Sequence, residues 1–264
     1  MRRFFLAGSV FVLLFLAIFL FTSCGGGSSS QTTPSASSGG GSTPAAASTV
    51  IDNIQEQTWL TCGACGNNGG TGPVANYSAT LGIVSPSEDG AATQFAIAAA
   101  VPFTNGYFYQ HHNSVTGQFA LLTYEFDLFV PTGFENAPQA IEFECQQRLG
   151  GWIYSFAWQA NYAGGSWRIY NYGSKKWEES GLTLQRFSPG TWHHVMAEFH
   201  NDGSSHSVFH DALTVDGVRT PINIRHDAFA ESGSDQFSNA FQLDSNSLPN
   251  PYSVFVDKMK ITYK

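Results

Sequence analysis

Charge is scarce in this sequence. Asp, Glu, Lys and Arg make up 12% of 264 residues, about half the ~25% usual in soluble domains. Positive charge is scarcest: of 12 basic residues Arg2 and Arg3 fall at the extreme N-terminus, which leaves 10 against the 20 acidic ones. That balance argues against nucleic acid as a partner and against electrostatic binding to anionic lipid. Cysteine is rare, four in all, and no Cys or His set has the spacing of a zinc site or of an H-E-x-x-H metal helix. Metal ligands therefore cannot be named from the sequence. Capped amphipathic helical patterns are missing beyond the first 24 residues. What is abundant is aromatic: Phe, Tyr and Trp reach 14%, which suits strands, stacking and neutral hydrogen bonds.

The N-terminus reads as an export signal. Arg2 and Arg3 precede an apolar run from Phe4 to Phe21, and Thr22, Ser23 and Cys24 follow. The Phe-Thr-Ser-Cys ending resembles the lipobox of bacterial lipoproteins, which implies lipidation of Cys24 after cleavage. The alternative is an uncleaved membrane anchor, since the run approaches the ~20 residues that span a bilayer. Either reading exports the rest of the chain, to the periplasm or the cell surface. Residues 25–48 hold only Gly, Ser, Thr, Pro, Ala and one Gln, a composition unable to offset its own ordering entropy. They read as a flexible linker reaching ~25–30 Å, so residues 49–264 form the one folded domain.

Export permits disulfides. Cys62 and Cys65 stand in a Gly-rich stretch, Thr61 to Gly72, with no βαβ pattern that would make them a redox pair. A short structural disulfide between Cys62 and Cys65 is expected, with pairing of one of them to Cys145 as the alternative.

From Phe119 onward, short runs alternate apolar and polar residues between Gly, Pro, Asn and Asp, which is the pattern of antiparallel strands. Strands are expected over 121–130, 140–148, 152–162, 167–172, 192–200, 207–215 and 253–263, with Asp216-Gly217 as a two-residue hairpin turn. So many strands in one domain mean an all-β sandwich or jelly roll. The strings Trp192-His193-His194-Val195, Leu213-Thr214-Val215-Asp216-Gly217 and Val254-Phe255-Val256-Asp257-Lys258 resemble the late strands of concanavalin A-like lectin/glucanase domains. The resemblance implies an antiparallel two-sheet jelly-roll sandwich, with a glycan groove on one sheet and room for a structural calcium ion. It implies no other cofactor, and it does not choose between lectin and enzyme.

Register gives the groove its residues. If Gly150-Gly151 is a two-residue turn, Phe143 meets Trp158 and Cys145 meets Phe156 on an apolar face. Glu142 then meets Gln159, Glu144 meets Ala157 and Gln146 meets Ser155 on the other face. If Gly164-Gly165 turns the next hairpin, Gln159 meets Tyr170, Asn161 meets Arg168 and Ala157 meets Tyr172. One face of three strands would then carry Glu142, Glu144, Gln146, Gln159, Asn161, Arg168, Tyr170 and Tyr172 around the small Ser155 and Ala157. Tyr rings give sugars a flat apolar surface, and carboxylates, amides and guanidinium groups take hydroxyls. The competing reading is a sheet face that is merely solvated.

Glu142-Phe143-Glu144-Cys145-Gln146-Gln147 resembles the E-x-D-x-E strand of family 16-type glucanases. That resemblance would make Glu142 a nucleophile and Glu144 its assistant. The acid/base position falls on Gln146, or on Gln147 with a bulge, and an amide cannot protonate a leaving oxygen. Glu198 is the one acid offered by another strand. A lyase would need Tyr170 or His194 as base and Arg168 to neutralise a uronate, in a groove where Glu142 and Glu144 repel one. Most of the clustered histidines, His193, His194, His200, His206 and His210, are expected at the surface or on edge strands. The sequence thus points to a non-catalytic, membrane-tethered glycan-binding domain. A glycoside hydrolase or polysaccharide lyase, and a structural or adhesive envelope protein, are the two alternatives.

Overall fold

The computed structural model describes residues 47–61, 76–99, 102–112, 115, 117–248 and 250–264. Cys24, Cys62, Cys65 and nearly all of the linker lie outside them. The described strands are β1 (Thr49–Ile51), β2 (Leu60–Thr61), β3 (Tyr77–Ile83), β4 (Ala92–Ile97), β5 (Asn105–His111), β6 (Leu122–Phe129), β7 (Pro138–Leu149) and β8 (Trp152–Asn161). They continue as β9 (Ser166–Asn171), β10 (Lys176–Thr183), β11 (Trp192–Asp202), β12 (Ser207–Val215), β13 (Val218–Asp227), β14 (Phe229–Ala230), β15 (Gln236–Ser245) and β16 (Tyr252–Tyr263). All seven strands expected from the alternation are present, within a few residues at each end.

Two antiparallel sheets form a jelly-roll sandwich. The first runs β13-β12-β11-β6-β16-β4-β3 with β1 added on β16; the second runs β10-β9-β8-β7-β15-β5-β2 with β14 added on β8. In the second sheet only β7 to β10 follow the chain; β15 returns from far away in sequence to lie beside β7, and β5 pairs on the other side of β15. That return brings residues about a hundred positions apart onto one face.

Between the sheets lies an aromatic core. Phe126 and Phe143, one from each sheet, have ring centroids 5.0 Å apart, and Phe95 and Phe241 are 4.9 Å apart. Each such ring, fully buried, contributes roughly 1.5–3 kcal/mol. Trp158 is in this core, as its register requires. Cys145 is a free, buried thiol; the expected Cys62–Cys65 disulfide and the alternative pairing both fall on residues outside those described.

The first hairpin is as expected. Leu149 pairs with Trp152, and Glu142, Phe143, Glu144, Cys145 and Gln146 meet Gln159, Trp158, Ala157, Phe156 and Ser155. Gly150 and Gly151 have φ of 58° and 81°, the two left-handed residues that a type I′ turn demands. The second hairpin differs. Gln159 faces Arg168 and Asn161 faces Ser166, so the connection has four residues rather than two. The Asn161 side chain builds it by accepting the Gly164 N–H at 3.1 Å, while the Gly165 N–H goes to the Asn161 carbonyl at 2.8 Å. The slip is two residues, so every side chain keeps its face.

The histidines depart from expectation in one case. His210 is fully buried beside Phe199 and His226, with ring centroids 5.3 and 5.5 Å away. Nor is β11, which carries His193, His194 and His200, an edge strand; it lies between β6 and β12.

Candidate functional site

The outer face of the second sheet carries the expected residues and extends further than the sequence indicated. β15 pairs Gln242 with Glu142 and Ala240 with Glu144, and β5 sets Tyr107 opposite Gln242 and Tyr109 opposite Ala240. On the far side β10 pairs Trp177 with Tyr170. Tyr107, Tyr109 and His111 thus form one wall, with successive ring centroids 6.1 and 5.1 Å apart. Tyr172, Tyr170 and Trp177 form the other, at 6.0 and 5.2 Å. Small residues, Ala240 and Ala157, flank Glu144 on the floor. A depression of about 230 Å³ lies there, lined by Tyr107, Glu142, Glu144, Ala157, Trp177 and Gln242 among others.

The floor is not an ordinary solvated face. On β8, Ser155, Ala157, Gln159 and Asn161 point away from the core yet are only 5%, 1%, 7% and 4% exposed. Gln159 is bonded to Glu142 of β7 and Ala157 lines the depression with Trp177 of β10, so β8 is buried on both faces.

Hydrogen bonds fix the polar floor. Both oxygens of Glu142 accept amide donors, Oε1 from Gln159 at 2.5 Å and Oε2 from Gln242 at 2.8 Å. Gln242 also donates to Asp244 at 2.9 Å, so one amide nitrogen joins the Glu142 and Asp244 carboxyls. Two carboxyls held this close disfavour each other's ionised form. Burial first, and then the Asp244 charge, push Glu142 well above the usual carboxylate range. Burial pushes Asp244 up to about 6 against the pull of its hydrogen bonds. Burial likewise raises Glu144, opposed by the bond it accepts from the Tyr107 hydroxyl at 2.5 Å. Tyr107, Tyr170 and Tyr172 are all raised by burial first; the next cause is the Glu144 charge for Tyr107, Tyr172 for Tyr170 and the Glu231 charge for Tyr172.

The remaining expected residues sort as follows. Gln146 shares the groove face, whereas Gln147 faces the core. It is buried there, donating to the Gly117 carbonyl at 2.5 Å and accepting from Asn201 at 2.9 Å, so no bulge turns it outward. Asn161 spends its side chain on the turn. Arg168 is at the rim, bonded to Glu179 at 2.6 Å. His194 and Glu198 are in the wrong place for either enzymatic role. Both lie on the outer face of the first sheet, His194 with Asp127 at 2.8 Å and Glu198 with Arg219 at 2.7 and 2.8 Å. Tyr107, Tyr109, Trp177, Gln242 and Asp244 were missed, although Tyr107-Phe108-Tyr109 and Phe241-Gln242-Leu243-Asp244 carry the period-two pattern that could have flagged them.

Among the described residues no cluster of three or more His, Cys, Asp or Glu side chains is placed to hold a metal ion. The acidic residues of one candidate loop are otherwise engaged. Asp257 accepts from Ser87 and from the Glu88 N–H, both at 2.7 Å, and Lys258 bridges to Glu88 at 3.0 Å. Among those residues, too, no helix is long and apolar enough to cross a membrane.

No family model matches the sequence, and no curated protein does. Several solved structures are similar. A carbohydrate esterase of the Shiga toxin-encoding bacteriophage phi24B is 14% identical over 72% of this chain and 90% of its own, with a TM-score of 0.45. An alginate lyase from Chlorella virus is 12% identical over 78% and 99%, with a TM-score of 0.43. A family 11 carbohydrate-binding module from Clostridium thermocellum, in complex with a β-1,3-1,4-mixed-linked tetrasaccharide, is 13% identical over 81% and 94%, with a TM-score of 0.37. By its own strand order and pairing the chain is a two-sheet antiparallel jelly-roll sandwich, the architecture that the resemblance to concanavalin A-like domains implied.

Proposed function

We propose that this protein binds glycan chains in the groove on its second sheet, and that it does so as a lipid-anchored, exported domain held through Cys24. One observation carries the reading: a polar floor, buried on β8, lies between two rows of aromatic rings. Sugar rings present apolar faces and hydroxyl edges, and such a groove meets both at once. A merely solvated face would leave the outward residues of β8 exposed.

Binding without turnover is the reading favoured by the floor chemistry. Glu142 has both oxygens occupied by amides, so it is held as a fixture rather than a nucleophile. A lyase needs a phenolate or imidazole base beside a cation. Here the phenols are pushed the other way, by burial first and by neighbouring charge second, and Arg168 and Arg148 are paired with Glu179 and Glu231. Hydrolysis is the second reading, and it has one observation behind it. The acid missing at Gln146 has a substitute in Asp244, whose carboxyl is joined to Glu142 through the Gln242 amide and is pushed up to about 6 by burial.

The test is incubation of the protein with a panel of plant, algal and microbial polysaccharides, scoring retention and released chain ends together. Retention with no new ends is expected. New reducing ends would establish hydrolysis, unsaturated ends a lyase, and neither retention nor products would favour an envelope protein without a glycan ligand.

A further inference from the structure

The floor also carries information about which glycans it admits. Gln159 and Gln242 each commit their Nε2 to Glu142. A carboxylate oxygen only accepts, so the amides are oriented. Gln242 gives its second N–H to Asp244 at 2.9 Å and keeps only the carbonyl Oε1 for a ligand, while Gln159 keeps Oε1 and one N–H. Tyr107 commits its hydroxyl proton to Glu144, which leaves the phenol oxygen as an acceptor. Glu144 itself has a second oxygen that can only accept while it is ionised. The cations nearest the floor are paired with acids at its rim, Arg168 with Glu179 at 2.6 Å and Arg148 with Glu231 at 2.5 Å. Gln242, Tyr107 and Glu144 therefore ask for an O–H donor, and acceptors outnumber donors among these oriented groups.

We infer, resting on the glycan reading above, that this floor selects neutral, hydroxyl-rich polysaccharides and rejects polyuronates and sulfated chains, with Asp244 as the positioning residue. Sugar hydroxyls are donors and match an acceptor floor. Carboxylates and sulfates are acceptors and anions, so they would meet unpaired lone pairs and repulsion from Glu144 in a water-poor site. Asp244 acts through Gln242: it accepts from that amide nitrogen at 2.9 Å while Glu142 accepts from it at 2.8 Å, which leaves the carbonyl for the ligand. The titratable groups around the pair are Glu144 on β7, Tyr107 on β5 and Tyr252 on β16. As pH rises both carboxyls ionise and repel each other across the amide they hold, and its orientation loosens.

The experiment measures affinity of the full-length protein for mixed-linkage β-glucan, xylan and mannan against polygalacturonate and alginate, from pH 6 to 9. At least tenfold tighter binding to one neutral polymer than to either polyuronate is expected. That binding should weaken at least threefold between pH 6 and 9 in the native protein but stay flat in Asp244→Asn. Glu144→Gln, which adds an N–H donor and removes a charge, should narrow the neutral-to-uronate ratio at least threefold, and it serves if Asp244→Asn fails to fold. Preference for a polyuronate, an equal pH slope in Asp244→Asn, or an unchanged ratio in Glu144→Gln would overturn this inference and leave glycan binding standing. Binding to no polymer at all would overturn the glycan reading and the inference with it.

Discussion

Tyr170 sits on the groove wall with its ring against Trp177 at 5.2 Å and is only half-buried, so its face is available to a sugar while its removal opens no core cavity. Tyr170→Ala should weaken glycan binding about three- to tenfold, the scale of one aromatic contact, and should leave the melting temperature within a few degrees. Isothermal titration beside a thermal melt checks both, and unchanged affinity would remove this wall from the site. Gln147 provides the opposite case. Its side chain ties the Gly117 carbonyl to Asn201, which in turn accepts the Phe119 N–H at 2.6 Å. Gln147→Ala strands buried partners on both sides and should cost about 2–4 kcal/mol of stability, read by denaturant unfolding, without touching groove chemistry. Sequence parity had offered Gln146 and Gln147 as alternatives for one role, and only an unbroken ladder along β7 separates them.

Among the elements, the hairpins divide what the chain states locally from what it does not. Gly150-Gly151 is bounded by clean alternation on both sides, and two adjacent residues free to take positive φ fix a two-residue turn and hence the register. Gly151→Ala forces an L side chain to φ 81° and should cost about 1–2 kcal/mol, measurable as a lowered urea midpoint with the m-value unchanged. Gly164-Gly165 looks the same in sequence, but only Gly165 takes positive φ. The difference comes from Asn161, whose side chain caps the turn two residues early. A Cβ on Gly164 would meet that Asn161 amide at 2.2 Å, so the close approach is part of the turn. The groove survived the wrong register because a two-residue slip leaves parity intact; a slip of one would have put Trp167 and Ile169 in the groove and Arg168 and Tyr170 in the core.

For the whole molecule, acid stability follows from buried groups pulling in opposite directions. Burial lowers His210 from 6.5 to about 3, so the fold prefers its neutral form. Its contribution is complete above pH 6.5 and is lost as pH falls from there toward 3, by at most about 1.4 kcal/mol per pH unit. Asp244 is raised from 3.8 to about 6, so the fold prefers its protonated form, and stability is gained as pH falls from 6 to 3.8. The two slopes oppose each other between pH 6 and 4; below 3.8 the His210 loss continues and Asp202, lowered to about 2 by its serine hydrogen bonds, adds its own. Thermal melts should therefore change little from pH 6 to 4 and fall steeply below it, while His210→Phe should fall less steeply there. An equally steep fall in the variant would place the acid lability elsewhere.

Alternation and turn residues determined by themselves that this chain is all-β, which late segments are strands, and which of their side chains face outward. Those are properties of neighbours along the chain, because parity and turn conformation are set within a few residues. Where the strands go was decided only by tertiary structure. Nothing local says that β15 returns to flank β7 and that β5 pairs beyond it, so the Tyr107 and Tyr109 wall, the Gln242 amide and the Asp244 carboxyl could not be assigned to the site. One amide joins Glu142 to Asp244 only because a long return path brings two acids about a hundred residues apart onto one face, and no spacing in the sequence encodes that distance.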